Sequence, residues 1–291
     1  MTNSVSVAPT PRTGSACAPL ASPEQAAEIL RGKRIVALTG AGLSTDSGIP
    51  DYRGPDSPPR SPMTYDEFVS GPIAQQRYWA RSHLGWQRMG RARPNAGHLA
   101  MARLESAGVV TDLITQNVDG LHQQAGSRAV MDLHGRIDEV ICLRCREISD
   151  RVALHERLTA LNPDFGHSLD VTTAPDGDVD LEDTAGFRLA DCLQCTGPLK
   201  PHVVFFGENV PRATVDRAFR MVDEAQAMLV AGSSLTVMSG LRFVRHAARN
   251  GLPIVIVNRG ITRGDPLAGC RVDAGCSPTL QALADALADH S

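Results

Sequence analysis

Five short apolar runs in this chain each stop at a polar knot carrying Gly or Asn. Arg34-Ile35-Val36-Ala37-Leu38 leads into Thr39-Gly40-Ala41-Gly42, and Asp112-Leu113-Ile114-Thr115 into Gln116-Asn117-Val118-Asp119. Val203-Val204-Phe205-Phe206 ends at Gly207-Glu208, Met228-Leu229-Val230-Ala231 at Gly232-Ser233-Ser234, and Pro253 to Val257 at Asn258-Arg259-Gly260. Unbroken apolar runs of this length read as parallel strands buried on both faces. Between them lie helical patterns, among them Pro23 to Leu30, Ala96 to Ala107, Val215 to Ala225, Leu241 to Ala248 and Leu280 to Ala288. The alternation predicts an α/β fold with a doubly wound parallel sheet. Ligands of such sheets sit at the carboxyl ends of the strands. All five knots fall at that edge and are expected to converge on one site. Taken singly, each knot is also explained as a plain βα turn.

Two segments interrupt the pattern and read as insertions that build a smaller second domain. Asp51 to Arg93 is rich in Pro and Arg and then helical from Ile73 to Met89. Ile137 to Lys200 holds two Cys-x-x-Cys pairs and an acidic loop, Pro175-Asp176-Gly177-Asp178-Val179-Asp180. Residues 1–23 are rich in Ser, Thr, Ala and Pro and lack the charged start and apolar centre of a secretory signal, so they are expected to be a disordered tail. With 29 basic against 32 acidic residues, the chain shows no basic footprint for nucleic acid and no polybasic membrane anchor. No apolar run approaches the roughly 20 residues needed to cross a bilayer. Neither nucleic acid nor membrane is an expected partner.

Seven cysteines in a chain this long fit a reducing, cytoplasmic compartment better than a secreted disulfide scaffold. Cys142/Cys145 and Cys192/Cys195 together supply four thiolates, the donor set of a closed structural zinc site with no open position for chemistry. Disulfides or unlinked buried thiols are the alternatives. Cys17, Cys270 and Cys276 remain over.

The first strand opens into Gly40-Ala41-Gly42-Leu43-Ser44-Thr45-Asp46-Ser47-Gly48-Ile49-Pro50. Two glycines after a strand let backbone approach a pyrophosphate, and amides at the next helix start can bind it. The G-x-G-x-x-G pattern is not met, because Thr45 stands at the third glycine, and no Gly-Lys-Ser/Thr follows as a P-loop requires. His134 lies after Ala129-Val130-Met131-Asp132-Leu133 and before Gly135, again at a strand end. Its near-neutral pKa suits a general base, although a lone His is also a common structural hydrogen-bonder.

The longer string is more specific. Gly40-Ala41-Gly42-x-Ser44 followed by Ser47-Gly48-Ile49-Pro50-Asp51-Tyr52-Arg53 resembles the signature of the sirtuins, NAD-consuming protein deacylases. Gln116-Asn117-Val118-Asp119 with Leu121-His122, then His134-Gly135, the two Cys pairs, Lys200 to Glu208 and Gly232-Ser233-Ser234 follow in family order, over roughly residues 25–280. Pro50-Asp51-Tyr52-Arg53, Arg77-Tyr78-Trp79-Ala80-Arg81 and Pro175-Asp176-Gly177-Asp178 look like lineage II, which includes the mitochondrial sirtuin four of animals and many bacterial relatives. Leu43 in place of the usual Ile and a long spacer between the Cys pairs depart from the pattern.

The resemblance implies a Rossmann-like part at about 24–57, 94–136 and 201–291, and a small helical and zinc-binding part at about 58–93 and 137–200. It implies NAD as co-substrate, one structural zinc on Cys142, Cys145, Cys192 and Cys195, and acyl-lysine proteins or peptides as substrates. Lysine is deacylated, with release of nicotinamide and an O-acyl-ADP-ribose by way of an alkylimidate. His134 is the implied base toward a ribose hydroxyl, with Asn117 beside it. NAD contacts are implied at Gly40, Ala41, Gly42, Ser44, Thr45, Gly48, Ile49, Pro50, Asp51, Tyr52 and Arg53. Further contacts are implied at Gln116, Asn117, Val118, Asp119, Gly232, Ser233, Ser234, Asn258, Arg259, Gly260 and Cys276. Asn117 and Asp119 also read as turn residues and Ser233 as a helix cap.

The segment Val203 to Gly207 with Glu208-Asn209 is expected to offer an edge to an extended peptide. Tyr78 and Arg81 have the Tyr-x-x-Arg spacing of acidic-acyl sirtuins, but counted from Pro72 they stand one position out of register. Competing readings are a mono-ADP-ribosyltransferase, a non-catalytic NAD or ADP-ribose binding module, and a dehydrogenase. The failed dinucleotide pattern speaks against the dehydrogenase.

Overall fold

The computed structural model describes residues 18–53, 62–165 and 184–288, leaving aside the side chains of Gln87 and Arg88. Cys17, the acidic loop Pro175 to Asp180 and residues 1–17 of the expected tail lie outside the described residues. The main sheet is built from β1 (Ile35–Thr39), β2 (Val110–Thr115), β3 (Val130–Asp132), β7 (Ala227–Ala231), β8 (Ile254–Val257) and β9 (Cys270–Val272). Its strands run parallel in the order β3-β2-β1-β7-β8-β9. A second, antiparallel sheet has the order β5-β4-β6, from β4 (Gly135–Cys142), β5 (Ile148–Asp150) and β6 (Leu199–Val203).

Alternation along each parallel strand sends side chains to opposite faces of the sheet. Ile35, Ala37, Leu113, Leu229 and Val255 pack against α1 (Pro23–Leu30), α4 (Ala96–Ser106) and α9 (Cys276–Ala288), through Leu30, Met101, Leu104, Leu280 and Leu283. Val36, Leu38, Met228, Val230 and Ile254 face α7 (Arg212–Glu224) and α8 (Met238–Arg249), where Met221, Val222, Leu241, Phe243 and Val244 meet them. Both faces are thus covered, which is why the runs read as unbroken apolar strings. The helices start on local signals. Ser22 and Gln25 form a capping box on α1, and the Asn95 side chain accepts from the Gly97 and His98 amides at the start of α4.

The smaller part holds α2 (Tyr65–Val69), α3 (Pro72–Met89) and α6 (Arg151–Leu161), with the short α5 (Leu121–Gln124) leading toward it. Phe68, Tyr78, Trp79, Leu154, Leu158, Phe187 and Leu199 form its core. The Arg151 guanidinium is fully buried there, 5.2 Å from the Trp79 ring centroid and 4.8 Å from that of Trp86. Among the described residues no helix is long and apolar enough to cross a membrane.

Two expectations are corrected. The run Val203 to Phe206 is not a strand of the parallel sheet. The strand there is β6, which pairs antiparallel with β4 and forms an edge of the small sheet. Phe205 is apolar for packing rather than for strand pairing, with its ring 5.2 Å from those of Phe68 and Tyr78. The tail, expected to run to residue 23, joins the fold earlier. Leu20 bridges Arg271 in parallel, Arg271 N donates to Pro19 O, and Ala21 N donates to Arg271 O, so residues 19–21 extend the sheet beyond β9.

Candidate active site

The strand order reverses between β1 and β7: the chain steps outward from β1 to β2 and β3, then returns to lay β7 beside β1. A doubly wound sheet opens its ligand crevice at such a switch point. The turns after β1 and β7 interlock there. Gly42 N donates to Gly232 O at 2.8 Å, and Gly40 N to Ala231 O at 3.0 Å. A Cβ on Gly40 would stand 2.8 Å from Gly232 O, and one on Gly232, whose φ is +68°, only 2.3 Å from Leu43 N. The glycines are therefore demanded first by the meeting of two turns, whose backbone lines the lip of the crevice.

Behind this lip lies a closed polar network. The Asn117 amide donates to Gly40 O at 3.1 Å and to Ser44 Oγ at 3.0 Å, and Ser44 Oγ donates to Asp119 Oδ2 at 2.7 Å. The other Asp119 oxygen accepts from Leu121 N, which starts α5. Asn117 and Ser44 are buried. Their rotamers are fixed by partners on two different strand-end loops, a degree of fixation that a simple turn residue does not need.

His134 sits at the joint between the two sheets, between the end of β3 and the start of β4. Gly135 beside it has φ +76°, and a Cβ there would stand 2.1 Å from His202 O, so only glycine fits. The imidazole Nδ1 lies 2.8 Å from Gln116 O. A carbonyl can only accept, so Nδ1 carries the hydrogen and Nε2 of the neutral ring keeps its lone pair. That lone pair lies 2.9 Å from Ser239 Oγ. Burial lowers the His134 pKa below the usual histidine range, the Gln116 carbonyl partly opposes this, and nearby Arg242 adds to it. The ring is thus neutral at physiological pH, the state a general base requires.

The crevice these loops enclose has a volume of about 700 Å³. Apart from Gly48, every NAD contact expected from the sequence lines it, from Gly40 through Arg53, Gln116 to Asp119, Gly232 to Ser234, Asn258 to Gly260 and Cys276. Gly48 instead closes the short turn Thr45–Ser47 with φ +81°. Ser233 Oγ donates to Gln116 Oε1 at 2.6 Å, tying the β7 loop to the β2 loop. Cys276 is buried at the start of α9, where burial pushes its thiol up to about 12, so it is no nucleophile. Tyr78 lines the wall; Arg81 is not among the lining residues.

The opposite wall, Val203 to Val210, is held by an ion pair between buried Lys200 and half-buried Glu208 that sequence reasoning did not single out. Lys200 Nζ lies 3.0 Å from Glu208 Oε2 and also donates to Val203 O, while Glu208 Oε2 accepts from Phe205 N at 2.9 Å. Sequence reasoning also missed Ser239 and Arg242. Both stand in the first turns of α8, which starts just past the Gly232 knot, and that position was the signal that could have found them.

The four cysteines of the two Cys-x-x-Cys pairs come together, with all Sγ atoms within 4.8 Å of one another. Sγ of Cys142 lies 3.5 Å from that of Cys195, and Cys145 Sγ 3.7 Å from Cys192 Sγ. A disulfide needs about 2.05 Å, whereas four sulfurs about 2.3 Å from one zinc stand roughly 3.8 Å apart. The two knuckles repeat one another: Arg144 N and Gln194 N each donate to the first sulfur of their pair at 3.4 Å, and Arg146 and Thr196 each take positive φ. The donor set therefore fits a closed structural zinc, and none of the four cysteines lines the crevice.

Residues 40–239 match the Sir2 family. This chain belongs to that family. It is 58% identical over 270 residues to NAD-dependent protein deacetylase 1 of Mycobacterium avium, covering 91% of this chain and 95% of the relative. To NAD-dependent protein deacetylase 1 of Streptomyces coelicolor it is 52% identical over 265 residues, covering 90% and 88%. Among solved structures, a Sir2–p53 peptide–NAD+ complex superposes with TM-score 0.71 at 32% identity, covering 90% of this chain and 96% of the other. Sir2Tm bound to a propionylated peptide superposes with TM-score 0.68 at 30% identity, covering 89% and 95%. The crevice and the cysteine cluster described above are those of a Sir2-family fold.

Proposed function

We infer that this chain is an NAD-dependent protein-lysine deacylase, which moves an acyl group from lysine to ADP-ribose and releases nicotinamide. The observation that carries the reading is the neutral, oriented imidazole of His134 opening onto the same crevice as the Asn117–Ser44–Asp119 network. NAD supplies the glycosidic bond that is broken and the ribose hydroxyl that receives the acyl group. Gly40 to Ser44 and Gly232 to Ser234 present backbone and hydroxyl donors to its phosphates, and Arg53 adds a cation at the rim. Asn258, Arg259 and Gly260 hold the adenosine end. Asn117 and Asp119 shape the end at which nicotinamide leaves, and His134 Nε2 removes the proton from the ribose hydroxyl. A positioned general base of this kind is worth about 10²–10⁴ in rate.

Zinc, held by Cys142, Cys145, Cys192 and Cys195, supplies fold stability to the small part and no reacting group. An extended acyl-lysine peptide adds by backbone pairing at the edge near β6, with its side chain entering past Tyr78 and Phe205. Four cysteines committed to zinc rather than to disulfides suit a reducing, cytoplasmic compartment.

The reading is tested with a panel of acyl-lysine peptides incubated with NAD and followed by mass spectrometry and absorbance. Deacylated peptide, nicotinamide and O-acyl-ADP-ribose are expected in equal amounts, with no NADH absorbance. ADP-ribose attached to the peptide with the acyl group retained would instead favour a mono-ADP-ribosyltransferase, and NADH a dehydrogenase.

A further inference from the structure

The second partner of the catalytic imidazole is Ser239, whose hydroxyl meets Nε2 at 2.9 Å. Because Nδ1 is already committed to the Gln116 carbonyl, this hydroxyl donates to the one lone pair that can take a proton. The geometry around it is closed rather than incidental. Gln116 O holds one ring nitrogen, and the Gln116 side chain is pinned by Ser233 Oγ and lies against Gly240, where a Cβ would come within 2.7 Å of its amide nitrogen. Gly240 follows Ser239 in the first turn of α8, so the start of that helix, Gln116 and His134 form one ring of contacts. Ser239 lines the crevice together with Arg242, one turn further along the same helix. No side-chain cap satisfies the start of α8, so the Ser239 hydroxyl is not spent on capping its own helix.

We propose that Ser239 is a positioning residue for the deacylation step, acting through His134 by exchanging donor and acceptor roles. In the free enzyme its O–H donates to Nε2 and keeps the neutral ring aimed into the crevice. When the ribose hydroxyl binds, it takes over the lone pair and the serine hydroxyl turns aside. The ribose O–H bond then breaks, the proton forms an N–H bond at Nε2, and the oxygen, still bound to its ribose carbon, attacks the acyl carbon of the alkylimidate, whose C=N π electrons pass to the lysine nitrogen. The new N–H at Nε2 then needs an acceptor, and Arg242, which lines the same crevice, offers only donors. The Ser239 oxygen, within reach of Nε2, accepts that hydrogen bond, and a hydrogen bond from a cation is the stronger kind. The hydroxyl therefore favours the protonated ring that chemistry creates over the neutral ring that binds NAD.

This inference rests on the deacylase reading, and its test separates the two. In the wild-type chain, ¹⁵N spectra of labelled histidine are expected to show His134 protonated at Nδ1 with Nε2 hydrogen-bonded. Ser239→Ala is expected to move the Nε2 resonance toward that of an unbonded nitrogen. The same variant is expected to lower kcat roughly three- to tenfold with little change in KM for NAD, as loss of one charge-assisted hydrogen bond implies. Ser239→Thr, which keeps the hydroxyl, restores both. An unmoved Nε2 resonance, an unchanged kcat, or an effect confined to KM overturns the role of Ser239. Failure of the wild-type chain to release nicotinamide would overturn the deacylase reading instead, with the ¹⁵N result for Ser239 still standing as a contact.

Discussion

Behind the crevice, His98 and His122 face one another with ring centroids 4.9 Å apart. Asn95 N donates to His98 Nδ1 at 3.3 Å, which leaves the hydrogen of the neutral ring on Nε2. Thr39 Oγ1 gives its hydrogen to Thr115 Oγ1 and so accepts from His122 Nε2, leaving Nδ1 of His122 a bare acceptor. Thr115 Oγ1 also accepts from the backbone N–H of Asn117 at 3.1 Å, which joins the His122–Thr39 contact to the crevice. Burial lowers the His122 pKa to about 3, with His98 adding to the shift, and burial lowers His83 in the small part to about 4. Against an unfolded value near 6.5, the unfolded chain binds more protons than the folded one between those limits. Stability is therefore fully present above about pH 6.5 and is lost as pH falls toward 4, at about 1.4 kcal/mol per pH unit for each of the two groups. Urea unfolding measured from pH 7 to pH 4.5 is expected to show this fall and to show a shallower one in His122→Asn. A flat profile would contradict the burial of neutral rings. His122 was visible in the sequence only as part of a motif, and the partnership with His98 was not legible, because it depends on α4 crossing the end of β2.

Elements differ in how far the sequence announces them. The strands of the parallel sheet are apolar on both faces, so β1, β2, β7 and β8 stood out as runs. β9 did not: Arg271 occupies its centre, buried against Asp265 at 3.6 Å and Asp273 at 3.2 Å, and the three-residue strand has no apolar signature. β4 was hidden likewise by Arg136, Asp138 and Glu139, and β6 was displaced in reading because aromatic packing of Phe205 imitates a strand. The knuckles were legible from spacing alone, since two residues between cysteines set the sulfur geometry locally. They join the start of the spacer to its end and close β4 onto β6. Cys142→Ser is therefore expected to abolish zinc binding, read as zinc per chain by atomic absorption. It is also expected to lower Tm by roughly 10 °C or more, since a loss of several kcal/mol of metal-linked folding energy counts about 2–4 °C each in a chain of this size. Full zinc occupancy in that variant, or an unchanged Tm, would contradict a structural site.

At the scale of the molecule, function follows from topology. Reversal of strand order at β1 and β7 gathers loops from distant parts of the chain at one edge. Placing β4 directly after β3 sets His134 where the two sheets join. The convergence was predictable, because four of the five runs are strands of one parallel sheet and end in a knot at the same edge. What closed the crevice from the other side was not: the Lys200–Glu208 pair and the first turn of α8 act through tertiary contacts with no periodic trace in sequence. The claim on which the account turns is that these loops make one catalytic crevice with His134 as its base. Turnover of an acyl-lysine peptide by His134→Ala, with zinc content and near-ultraviolet circular dichroism measured on the same sample, tests it most directly. The account predicts a loss of at least about hundredfold in kcat with fold and zinc retained; turnover near that of the wild type would contradict it.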